Sequence, residues 1–152
     1  MEKTNELNKF LSYIHMGNSV FRIYHKECEN LKDEKLLGII EEIEEIFKTH
    51  EEKFTSLITN MGEKPTESLT AAGIMGVLME KMKFVDSDFD ICINAIKSTN
   101  MGTISALKFL DENKKLPKKI KNEVVKVIND YFTITMKLKD YIINNICFKR
   151  SK

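Results

Sequence analysis

Residues 33–62 read DEKLLGIIEEIEEIFKTHEEKFTSLITNMG, and the spacing of their apolar side chains decides the fold. Leu36, Ile40, Ile43, Phe47, His50, Phe54, Leu57 and Met61 recur in alternating steps of four and three, which lines one face of a helix. Asp33 stands before the run, where a carboxylate can accept from the free N–H groups of a first turn. Gly62 stands after it, where a left-handed residue ends a helix. A helix of about 29 residues is roughly 40 Å long at a rise of 1.5 Å per residue. That is the dimension of a helical bundle, and a small mixed core has no use for it.

The same period continues on both sides. Leu7, Phe10, Leu11, Ile14, Gly17, Phe21, Tyr24 and Cys28 predict a first long helix from Thr4 to about Cys28. Beyond the turn at Glu63-Lys64-Pro65, Ser68 to about Phe84 is apolar on most sides and reads as a short separate helix. Ser87, followed three residues later by Asp90, opens a third long helix through Ile93, Ile96, Met101, Leu107 and Leu110, which Asn113 to Leu116 closes. Pro117 suits the first turn of a last helix, carried by Ile120, Val124, Val127, Tyr131, Ile134, Leu138 and Tyr141. No segment alternates with the period of a strand.

The fold class is therefore all-α. Four long helices with a long connection between the second and third make a ferritin-like four-helix bundle, because a crossover of that length lets the third helix start at the far end. Residues 1–145 form this single domain, and residues 146–152 a basic C-terminal tail. The two halves echo each other: Ile14-His15-Met16-Gly17 matches Thr99-Asn100-Met101-Gly102. Each glycine falls on its apolar stripe, where a missing side chain lets a ring or a helix come close.

Composition narrows the function classes. With 24 Lys and Arg against 23 Asp and Glu, the net charge of +1 removes the basic footprint of a nucleic-acid binder. The first residues are polar and acidic, unlike a secretory signal, so the chain is expected in the cytoplasm. No apolar run approaches the roughly 18 residues that a membrane span requires. Cys28, Cys92 and Cys147 are scattered in apolar company and are expected to be reduced, packed thiols.

Ile14-His15-Met16-Gly17, Lys48-Thr49-His50-Glu51-Glu52, the segment Gly62 to Pro65 and Asn100-Met101-Gly102 together resemble a bacterial ferritin-like family known as a domain of unknown function of the 2383 type. The resemblance runs over roughly residues 5–142. It implies a bacterial cytosolic or spore-associated bundle and brings no catalytic residues with it.

A ferritin-like metal pair needs Glu-x-x-His on two helices, since residues three apart share a helix face. Here Ser12, Arg22 and Phe47 occupy the positions three before His15, His25 and His50, and the last two helices contain no His. No cofactor is expected; the alternative is iron or another divalent metal at an atypical site built from His50, Glu27 and Glu51. His50 points between Phe47 and Phe54. It is expected to be a buried imidazole bonded to Tyr24, Tyr131 or a carboxylate, fixing register or acting as a pH-sensitive switch. No nucleophile turn or phosphate loop surrounds any Ser or Cys, so the chain is expected not to be an enzyme.

Two surfaces remain. Gly73, Met75, Gly76, Met79 and Met82 combine small and adaptable side chains, and are expected to pack on the bundle or on a partner. Lys114, Lys115, Lys118, Lys119 and Lys121 crowd the start of the last helix, against its dipole, as a basic patch. Residues 1–60 carry 8 basic and 12 acidic side chains and residues 111–152 carry 11 and 5, so opposite ends of the chain have opposite sign. The expected role is a structural or protein-interaction module, a homo-oligomer or bound to a protein partner. The alternative is a metal-binding, oxidative-stress or spore-associated ferritin-like protein.

Overall fold

A computed structural model describes residues 2–67, 76 and 85–148. Four long helices account for most of them: α1 (Glu2–Leu31), α2 (Glu34–Asn60), α3 (Asp88–Glu112) and α4 (Lys118–Tyr141). A π-helical turn, Ile142–Cys147, extends α4. The helical run thus passes the boundary expected at residue 145, and Pro117 stands one position earlier than expected, just outside α4. The short helix expected between Ser68 and Phe84 lies outside the described residues except for Gly76, which is helical.

The caps form as the sequence chemistry dictates. Asp33 Oδ1 accepts from the Leu36 N–H at 2.9 Å, and Ser87 Oγ from the Asp90 N–H at 3.1 Å. The Asp90 carboxylate accepts from the N–H of Asp86. Gly62 has φ +80°, and the bonds Gly62 N–H to Thr59 O and Glu63 N–H to Ile58 O close the end of α2. The end of α1 makes the corresponding pair, Lys32 N–H to Glu29 O and Asp33 N–H to Cys28 O, with Lys32 at φ 58° in the position where Gly62 serves α2.

In the bundle α1 packs on α2 and α3, and α4 on α3 and α2. The Tyr141 hydroxyl, at the end of α4, bonds the Asp33 carboxylate and lies 3.2 Å from Asp88 Oδ2. The starts of α2 and α3 therefore share one end, and the connection between them joins opposite ends of the bundle. One core runs through all four helices, with Leu7, Leu11, Ile14, Leu36, Ile40 and Ile134 among its fully buried members. No helix among the described residues is long and apolar enough to cross a membrane.

Candidate functional site

At mid-height both glycines of the repeated motif do what their lack of a side chain allows. A Cβ on Gly17 would lie 2.4 Å from the Phe47 ring, and one on Gly102 would lie 3.1 Å from the ring of Tyr131. Each aromatic thus rests on the backbone of its neighbouring helix. The Phe47 and Tyr131 rings meet at 5.8 Å, and Phe21 packs on Phe47 at 5.2 Å.

His50 sits beside these rings, 3% exposed, with its own ring edge-on to Phe47 and Tyr131. Its partner is a carboxylate: Nε2 lies 2.7 Å from Asp130 Oδ2 on α4. Burial lowers the imidazole pKa, which the bond to Asp130 opposes only in part. The neutral ring donates from Nε2 and leaves Nδ1 buried with no hydrogen-bond partner. The tyrosines offered as partners are placed elsewhere. Tyr24, buried, bonds Ser98 Oγ at 2.7 Å and the Asn94 carbonyl at 3.1 Å, while Tyr131 contributes its ring face. Asp130 was missed because 80 residues separate it from His50 and it flanks, rather than joins, the apolar stripe of α4.

The other two histidines lie at the boundary, as their positions beside the stripe suggest. His15 Nδ1 faces Glu51 Oε2 at 2.5 Å, and Nε2 faces the Thr66 carbonyl at 2.8 Å. Asn18 also donates to Glu51 Oε2, and Asn8 accepts from the Thr66 N–H, so α1 pins the chain as it leaves α2. His25 Nδ1 lies 2.7 Å from Glu44 Oε1; that bond holds its pKa above the ordinary value.

The metal candidates are therefore dispersed. His50 is engaged by Asp130, Glu51 by His15 and Asn18, and Glu27 lies on the outer groove of α1 near Arg22 and Lys26. Among the described residues no three His, Cys, Asp or Glu side chains gather where they could hold a metal ion. The donor set does not fit the metal pair that a ferritin-like fold implies.

Of the expected interaction face, Gly73, Met75, Met79 and Met82 lie outside the described residues; Gly76 approaches Met16, whose Sδ is 3.2 Å from its Cβ position. Lys114, Lys115, Lys118 and Lys119 are exposed and Lys121 half-buried. Lys114 pairs with Asp111 at 3.1 Å, and Lys121 donates to the Lys114 carbonyl. Cys28 and Cys92 are buried, and burial pushes both thiols up to about 12; Cys147 is exposed, contrary to the expectation of packing.

No family model matches the chain, and no curated protein matches it. Among solved structures, a mutant of Mycobacterium smegmatis Dps1 matches over 91% of this chain and 93% of that one, with a TM-score of 0.74 at 11% identity. The fold is thus a ferritin-like four-helix bundle.

Proposed function

We propose that this ferritin-like bundle is a non-catalytic structural or protein-interaction module, free of a resident cofactor, that associates with a second copy of itself. The observation that carries the reading is apolar exposure on one helix pair. Met101, Ile104 and Leu107 on α3 are 63%, 53% and 52% exposed, and Phe132 and Met136 on α4 are each 57% exposed. Large apolar side chains left more than half exposed to water are a feature of association surfaces. Charge supports a second copy as the partner: exposed Glu41, Glu45 and Glu52 on α2 complement exposed Lys115, Lys118 and Lys119 around the start of α4. The resemblance of the short motifs to the domain of unknown function of the 2383 type, which no family model supports, is the sole ground for a bacterial or spore-associated setting.

The test joins solution mass to elemental analysis of protein purified without a metal-affinity tag. The expected result is a dimer or larger species without stoichiometric iron, manganese or zinc, which Phe132→Glu with Met136→Lys converts to a folded monomer. A monomeric wild type removes the association. Stoichiometric metal replaces the reading with the metal-binding alternative.

A further inference from the structure

Along one side of α1, beside its apolar stripe, run Asn8, His15 and Asn18, spaced by two helical turns and then by one. All three reach out of the helix to other parts of the chain. Asn8 takes the first residues beyond α2: its side-chain N–H donates to the Lys64 carbonyl at 3.2 Å, and its side-chain oxygen accepts from the Thr66 N–H at 2.7 Å. His15 lies between two groups, with Glu51 Oε2 on α2 at 2.5 Å from Nδ1 and the Thr66 carbonyl at 2.8 Å from Nε2. Asn18 donates to the same Glu51 oxygen at 3.1 Å, an arrangement that suits an ionised carboxylate.

Both partners of His15 are acceptors. A carboxylate and a carbonyl each need an N–H, whereas a neutral imidazole has one N–H and one lone pair. The imidazolium alone donates to both. When the ring gives up a proton, the Nδ1–H that faces a full negative charge makes the stronger bond and survives. Nε2 then turns a lone pair on the Thr66 oxygen, and that bond is lost. The ring is 12% exposed, so its proton exchanges with water without the core opening. The other charged side chains near these residues in sequence, Lys9, Lys48, Glu52, Glu63, Lys64 and Glu67, are exposed, where water and salt screen them. Lys97 and Lys108, along the middle of α3, which also packs on α1, are exposed too.

We propose that His15 is a pH-operated clasp. As the imidazolium it fastens the start of the α2–α3 connection to α1, and as the neutral ring it lets go of Thr66 while keeping Glu51. Asn8 is the half of the fastening that pH does not touch, so the connection loosens at Thr66 and stays held at Lys64. The clasp is independent of self-association, since none of its residues belongs to the exposed apolar face.

The experiment follows two signals of the full chain by NMR from about pH 5 to about pH 9: the His15 ring nitrogens, and hydrogen exchange of the Thr66 amide corrected for its intrinsic rate at each pH. With the clasp closed, both ring nitrogens are expected at the protonated position. As the ring loses its proton, Nδ1 is expected to stay protonated, Nε2 to move to the unprotonated position, and opening at Thr66 to rise about tenfold with the same midpoint. His15→Gln is neutral throughout and is expected to hold Thr66 opening constant over the range. A closed clasp with only one ring nitrogen protonated overturns the proposal. So does Thr66 opening that stays constant while the ring titrates, or that follows pH equally in His15→Gln. If that variant does not fold, coincident or separate midpoints in the wild type decide alone.

Discussion

The α1–α2 pair and the α3–α4 pair are built to one plan, but the first is tight and the second has slack. In the first, Phe47 presses on Gly17 so closely that a Cβ has no room, and the helices join through Lys32 and Asp33 alone, with Lys32 held left-handed. In the second, Tyr131 leaves more space at Gly102, and residues 113–117 make the joint. A pocket between α1 and α3 touches both ring contacts, since Gly17, Phe47, Gly102 and Tyr131 all line it. One helix-pair design therefore tolerates a tight contact and a short joint in one copy and a looser contact and a longer joint in the other.

The contrast breaks most visibly at the glycines. Gly17→Ala forces the Phe47 ring to move, an overpacking cost of about 3 kcal/mol against a helix-propensity gain of about 1, so a net loss of about 2 kcal/mol is expected in urea unfolding. Gly102→Ala asks Tyr131 to yield only a few tenths of an ångström, which the propensity gain of about 1 kcal/mol offsets to near zero. Equal losses at the two sites would show that the halves are packed alike.

The joint gives a smaller effect of opposite sign. A left-handed residue with a side chain costs about 1–2 kcal/mol, and glycine carries no such penalty, so Lys32→Gly is expected to stabilise by about 1 kcal/mol in the same assay. A loss there would mean that the two-residue joint is not under backbone strain.

The smallest effect is in the pH dependence. His50 has a lowered pKa in the folded chain, so the unfolded chain binds the proton more readily. Its contribution is fully present above the ordinary value of 6.5 and lost as pH falls below 6.5 towards the folded value. His25, raised by Glu44, acts oppositely: its contribution is present below 6.5 and lost as pH rises through its folded value. His50→Leu should match or exceed the wild-type melting temperature at pH 7.5, since it removes an unpartnered nitrogen, and should lose less on acidification. His25→Gln should lose more. Parallel melting curves for all three proteins across this range would refute the assignment.

What the sequence made legible was local. The period of the apolar residues fixes four helices, Asp33, Ser87 and Gly62 mark ends through chemistry within a few residues, and the length from Met61 to Asp88 implies the crossover. The glycine–aromatic contacts were half visible, because the repeat exposed the glycines but not which ring each receives. Long-range polar pairs were opaque. Asp130 with His50, Glu51 with His15, and Tyr141 with Asp33 each bring in a carboxylate from beside the apolar stripe of another helix, where residue type carries no period. The unpartnered Nδ1 of His50 was hidden for the same reason, since a stripe position predicts burial and not what the nitrogen meets.

The three thiols give the molecule a built-in clock. Cys147 is open to a modifying reagent, whereas Cys28 and Cys92 are fully enclosed near the Asp33 and Asp88 carboxylates that Tyr141 ties together. Held far from their reactive ionised form, the inner pair can be labelled only while that end of the bundle is transiently undone. Their lag behind Cys147 therefore times the breathing of one end of the protein, with no probe added to the chain.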